Sequence, residues 1–180
     1  SEILGIVGVA GNGQKELAEV ITGLRKATEG EIKILGKNVT NRSANTITQL
    51  GTAYIPEERI QIGVVQGMSV SDNMVLKSYR SNSFTNGFWL KKNCIKEYSN
   101  GLVSEYNIMT PSLQAPVKLL SGGNIQRLIL AREISGNPKL IVASHPTYGL
   151  DVGATEQIRR LLLEQRKNGA AVLLISEDLE

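Results

Sequence analysis

Two glycine-rich strings in this 180-residue chain have the residue types and spacing to hold phosphate. The first is Gly8-Val9-Ala10-Gly11-Asn12-Gly13-Gln14-Lys15, set between the apolar run 3–7 and a stretch where Leu17, Ala18, Val20 and Ile21 recur at helical spacing. Strand, glycine turn and helix is the context in which backbone N–H groups converge on an anion and the helix N-terminus adds a positive dipole end. A loop that also drives phosphoryl chemistry carries Lys directly after its last glycine and then Ser or Thr, to reach the outer phosphates and ligate magnesium. Here those positions hold uncharged Gln14 and the ammonium of Lys15. The cradle is present and the chemistry is missing, and alone the string is equally a plain strand-to-helix turn.

The second string is Leu119-Leu120-Ser121-Gly122-Gly123-Asn124-Ile125-Gln126-Arg127-Leu128, in which Ser and two glycines precede a helix whose apolar face is Ile125, Leu128, Ile129 and Ile134. It is a second anion-ready helix N-terminus. An ordinary N-cap accounts for Ser121 but not for the rest. Two further places have chemical potential. Glu57-Glu58-Arg59 follows Pro56 at a strand end, where open α/β sheets keep their ligand residues, although a solvated loop explains it as well. His145, the single histidine, follows an apolar strand, and an imidazole is a side chain suited to act as a base at neutral pH.

These strings need a scaffold, and the chain supplies one in order. Residues 3–7 read as a buried strand; Gly23 closes the first helix; 31–36 reads as an edge or half-exposed strand; a short helix over 44–50 and a strand over 52–55 follow. From 68 to about 135 the pattern turns helical (70–76, 94–106, 125–134), without alternating strands, and Ser- and Asn-rich 78–86 reads as a mobile connection. The apolar strand 139–143, the helix 152–167 and the strand 170–175 complete the chain. Strands separated by helices, with polar or glycine-rich connections at the strands' C-terminal ends, predict an α/β fold: a mainly parallel sheet flanked by helices, with an inserted helical lobe.

Composition narrows the function. A net charge of +3 spread over 20 basic and 17 acidic residues, with two Phe and one Trp, gives no nucleic-acid surface or base-stacking platform. The single cysteine, Cys94, excludes an internal disulfide and reads as an incidental thiol. The longest apolar run, 170–175, is far short of the ~18 residues of a membrane span. No secretory leader opens the chain, and both ends are abrupt, as in a piece of a longer polypeptide.

Taken in order, these motifs resemble the nucleotide-binding domain of ATP-binding cassette transporters, over essentially the whole chain. Residues 8–15 stand at the phosphate loop, Glu57 where the family usually has a glutamine, and Leu120-Ser121-Gly122-Gly123-Asn124-Ile125-Gln126 at the family signature. Residues 139–145 occupy the metal-and-base strand, Leu150-Asp151 the dimer-contact loop and Glu177 the switch-histidine position. Pro56-Glu57-Glu58-Arg59, the run 67–74 and Gly149-Leu150-Asp151-Val152-Gly153-Ala154 are similar to the second of two cassettes fused in one chain, as in importers of simple sugars and nucleosides. Gly11-Asn12-Gly13-Gln14 and Ser144-His145 tilt the likeness toward the nucleoside branch.

The resemblance implies one cassette domain over 1–180, with a core of 1–67 and 136–180 and a helical lobe of about 68–135. It implies ATP as ligand, contacted by Gly8, Gly11, Asn12, Gly13, Gln14, Lys15, Glu16, Glu57, Ser121, Gly122, Gly123, Gln126 and Asp151. Magnesium belongs at the partner cassette's site, and no metal ligand is assigned in this chain. Ser144 replaces the metal-associated Asp, His145 the catalytic Glu and Glu177 the switch His, so His145 and Glu177 are candidates for an exchanged pair of catalytic roles. The implied partners are a second cassette, membrane permease subunits and, indirectly, an extracytoplasmic solute-binding protein, with the chain peripheral on the cytoplasmic membrane face. A soluble P-loop kinase or GTPase, a cassette protein acting on nucleic acid or ribosomes, and an adapter that binds no nucleotide are the competing classes.

Overall fold

The computed structural model describes residues 1–9 and 11–176. In chain order the elements are β1 (Ile3–Val7), α1 (Gln14–Ile21), β2 (Lys33–Ile34), β3 (Lys37–Asn38), α2 (Ala44–Gln49) and β4 (Thr52–Ile55). They continue with α3 (Val70–Val75), β5 (Thr85–Asn86), β6 (Trp89–Leu90), α4 (Lys92–Glu105), α5 (Gly122–Ile134), β7 (Leu140–Ser144), α6 (Val152–Lys167) and β8 (Ala171–Ser176). A π-helical turn, Arg59–Gly63, and a 3-10 turn, Val117–Leu119, lie between them.

The chain divides into two compact units, residues 1–57 with 136–180 and residues 58–135. The second begins at Glu58, ten positions before residue 68, the start that the helical periodicity gives. The π-helical turn explains the difference. It packs on α5, and Arg132 of α5 donates from Nη2 to Gly63 O at 2.8 Å, tying the turn to the helices.

The first unit is built on a four-stranded parallel sheet in the order β1-β8-β7-β4. β7 lies inside it, and Ile141, Val142 and Ala143 are fully buried, as a strand covered on both faces requires. α1 packs on β7 through Ala18, which shares a core with Tyr54, Val142 and Ile175. Burying each large aliphatic side chain in such a core contributes roughly 1.5–3 kcal/mol. α1 ends where Gly23 takes φ +75°, so that Leu24 N–H reaches Glu19 O (2.8 Å) and Gly23 N–H reaches Val20 O (3.2 Å). A side chain at Gly23 would also lie 2.8 Å from Arg42 O.

Two expectations change here. Among the described residues β1 pairs with β8 alone, and Leu4 is 58 % and Val7 46 % exposed where a buried strand was expected. The run 31–36 is a small hairpin rather than one strand: Leu35 (φ +50°) and Gly36 (φ +76°) turn the chain between β2 and β3.

The second unit joins α3, α4 and α5 around apolar residues such as Val70, Met74, Leu128 and Ile129. Asn73 is fully buried there and pins the preceding loop: its Oδ1 accepts from Val65 N–H (2.9 Å), and its Nδ2 donates to Val65 O and Ser69 O (3.0 Å each). Glu133, with a 1 % exposed side chain, is ion-paired to Lys77 and Arg132. The stretch expected to be a mobile connection contains the start of the β5–β6 hairpin, whose base is held by buried Phe84 against Val75, Ile95 and Tyr98. α4 and α5 begin earlier than the periodicity indicates, at Lys92 and Gly122, because their first turns are polar or glycine.

Candidate functional site

In the first unit the parallel sheet aligns the ends of β1, β7 and β8 by register, Val7 against Ser176 and Ser144 against Ile175. The connections leaving β1, β4 and β7 therefore share its C-terminal edge, where open α/β sheets bind ligands. That edge carries the glycine loop, Glu57, and Ser144 with His145.

The glycine loop runs from Gly8 to Gly13, which caps α1 with φ +93°, and Leu17 N–H donates to Gly13 O at 2.9 Å. Gln14 folds back over it. The Gln14 carboxamide donates from Nε2 to Val9 O (2.9 Å) and accepts Asn12 N–H on Oε1 (3.0 Å), while Asn12 Nδ2 donates to Val9 O at 2.8 Å. A Cβ at Gly8 would lie 2.7 Å from Gln14 Nε2, so the absence of a side chain at Gly8 is what admits the carboxamide. One N–H of the cradle is thus taken by the residue standing at the phosphate-lysine position. Gly11 and Lys15 are exposed. Glu16 lies 3.9 Å from the Arg25 guanidinium, whose pKa is raised mainly by its hydrogen bond to Glu19.

A magnesium ion needs hard oxygen ligands in near-octahedral order. The loop offers Gln14 and Lys15 instead, and no group of three His, Cys, Asp or Glu able to hold a metal occurs among the described residues. The residues at this loop do not fit Mg–ATP chemistry.

Glu57 is exposed beyond β4 and Ser144 is buried at the end of β7. His145 takes φ +44°, a left-handed conformation uncommon for a side-chain-bearing residue, with its N–H donating to Ile175 O at 2.8 Å. Asp151, a nucleotide-contact candidate, has a local role as well: its Oδ1 accepts Ala154 N–H at 2.9 Å and caps α6. Glu177 lies outside the described residues.

The signature lies wholly in the second unit. Ser121 caps α5, and its Oγ accepts from Asn124 N–H (3.4 Å) and Asn124 Nδ2 (3.0 Å). Asn124 is itself held, because its Oδ1 accepts Met109 N–H at 2.8 Å. With both acceptor positions of Oγ engaged, the Ser121 hydroxyl proton is the group left to donate outward. Gly122 N–H and Gly123 N–H, at the positive end of α5, make no hydrogen bond among the described residues. The signature therefore converges an O–H and two N–H donors.

Gln126, one of the expected nucleotide contacts, is 1 % exposed and lies among the buried residues of α5. Sequence reasoning did not anticipate the part played by Asn124, although an Asn three residues after a Ser cap is a visible signal. Arg59 is half-buried against the signature, with Nη1 3.7 Å from where a Gly122 Cβ would stand, and burial draws its pKa down.

This layout is that of a nucleotide-binding cassette, and the comparisons agree. The model of the ABC transporter family matches residues 1–148, and the chain belongs to that family. It is 44% identical over 181 aligned residues to a glucose import ATP-binding protein of Haloferax volcanii, covering 99% of this chain and 33% of the relative. It is 43% identical to a guanosine import ATP-binding protein of Bacillus subtilis, covering 99% of this chain and 35% of the relative. The chain thus spans about a third of the length of these curated relatives. In fold it is similar to an ATP-binding cassette solved as a dimer in a post-hydrolysis state with ADP and Pi: TM-score 0.75 at 21% identity, covering 99% of this chain and 74% of that one.

Proposed function

We propose that this chain is the second, degenerate cassette of a fused two-cassette ATP-binding subunit in an importer of nucleosides or simple sugars. One observation carries the reading: the signature keeps its donors prepared and unsatisfied, whereas the glycine loop is filled by its own Gln14. Ser121, Gly122 and Gly123 present O–H and N–H groups to the terminal phosphate of ATP held by a partner cassette, and donors fixed in advance stabilise developing charge without reorganising. Mg–ATP at that partner site supplies the phosphoryl group and the charge neutralisation. At this chain's own edge the backbone can hold an anion only once Gln14 moves aside, so nucleotide there is a structural or regulatory ligand and hydrolysis is slow or absent. His145 and Glu177, standing in each other's family positions, lack the lysine and metal that would make a water-orienting group effective.

The identities to sugar and nucleoside import proteins support the transport role and with it permease subunits, a second cassette in the same polypeptide, an indirect solute-binding protein, and a peripheral place on the cytoplasmic membrane face. No helix among the described residues is long and apolar enough to cross a membrane, which fits a subunit that relies on separate permeases. Trapping radiolabelled nucleotide in the full-length polypeptide tests the asymmetry. One trapped ADP per polypeptide, lost when the other cassette's phosphate-loop lysine is replaced, is expected. Two trapped ADP, or one that survives that replacement, contradicts the proposal.

A further inference from the structure

The helical unit carries a projection that neither the glycine loop nor the signature uses. β5 and β6 are joined by Gly87 and Phe88, with Asn86 opposite Trp89. Gly87 takes φ +61°, the conformation required at the first position of this type of tight turn. The base of the hairpin is fixed. The Phe84 ring lies 5.0 Å from that of Tyr98, Lys91 N–H donates to Phe84 O at 2.8 Å, and Lys91 Nζ donates to Asn82 O at 2.7 Å. Beyond that base Phe88 is fully exposed, Trp89 81 % and Leu90 47 %. Three successive apolar side chains are held out beyond that base.

The chain running through the hairpin carries charge of one sign. From Asn73 to Lys96 the chain has Lys77, Arg80, Lys91, Lys92 and Lys96 and no Asp or Glu, and the next acid is Glu97. Lys77 is committed to Glu133, but Arg80, Lys91, Lys92 and Lys96 are exposed. Three side chains on a convex tip fall far below the roughly 800 Å² per partner of a stable protein interface, and they offer a protein partner no pocket. A lipid interface closes around such a wedge without a matching cavity. Trp and Phe settle at headgroup depth while lysine heads remain in water beside phosphate.

We propose that the hairpin tip is a docking element for an anionic lipid surface, with Phe88, Trp89 and Leu90 entering the headgroup region and Arg80, Lys91, Lys92 and Lys96 facing lipid phosphates. Binding by one such tip is weak and reversible, an orienting contact for a subunit attached elsewhere. Each basic residue adds about fivefold to the partition.

The experiment uses the full-length polypeptide with vesicles of phosphatidylcholine alone or mixed with phosphatidylglycerol. Trp89 is the only tryptophan in this chain, so the difference between wild type and Trp89→Phe isolates its emission. Expected results are co-sedimentation with the mixed vesicles only, quenching of the Trp89 signal by brominated acyl chains, and about tenfold weaker binding for Phe88→Ser/Trp89→Ser with unchanged thermal unfolding. Lys92→Gln should weaken binding about fivefold. Sedimentation without Trp89 quenching, or undiminished binding by the double variant, overturns the proposal. So does a Trp89 signal already shielded from aqueous quenchers without lipid, which would assign the tip to a protein contact.

Discussion

Gln14 decides what the glycine loop can do, and it does so through two hydrogen bonds to the loop backbone. Gln14→Ala frees Asn12 N–H and leaves Val9 O with Asn12 Nδ2 as its donor, at an exposed site where water replaces the carboxamide. The expected loss is about 1 kcal/mol by urea unfolding. Gln14→Lys with Lys15→Thr restores the residue types that the loop lacks, and equilibrium binding should show a gain of nucleotide at this loop. The glycine spacing was legible in the sequence because backbone cradles depend on where side chains are absent. The folding back of Gln14 was not legible, because no pattern of residue types specifies a rotamer. His145 is similar: its position after an apolar strand could be read, whereas its left-handed backbone and its bond to Ile175 O, a partner thirty residues away, belong to the folded sheet.

At the scale of elements, the helical unit depends on buried polar groups that fix loops to helices. Asn73→Ala removes three short hydrogen bonds and strands Val65 N–H, and should cost about 3 kcal/mol. Glu133→Ala leaves Arg132, with a 6% exposed side chain, without its carboxylate and should cost about 3 kcal/mol or more. Urea unfolding midpoints check both, and Asp151→Ala should cost only about 1 kcal/mol as a lost helix cap. The long elements were readable from periodicity and the parallel sheet from their alternation. The exposure of β1 was not, since an apolar run does not say how many sides of it are paired. The hairpins failed to register because strands of two residues hold no alternation. The acid-free stretch 73–96 passed unnoticed for a related reason: its cations are spaced along the chain and form no block of like charge.

For the whole molecule, the proposed function separates two roles that an ordinary cassette combines: holding a nucleotide for hydrolysis, and completing the site of another cassette. The chain belongs to the ABC transporter family and spans about a third of the matched relatives, so the proposed function is one to be tested in the full-length polypeptide. The most direct test is steady-state ATP hydrolysis by the full-length polypeptide assembled with its permease, comparing Ser121→Arg with His145→Ala. Blocking the signature with a bulky cation is predicted to lower kcat by at least about a hundredfold, the scale of losing preorganised donors to developing charge. His145→Ala should leave kcat within about twofold, because its site lacks the charge stabilisation that hydrolysis needs. The reverse outcome, a collapse with His145→Ala and near-normal turnover with Ser121→Arg, would contradict the account.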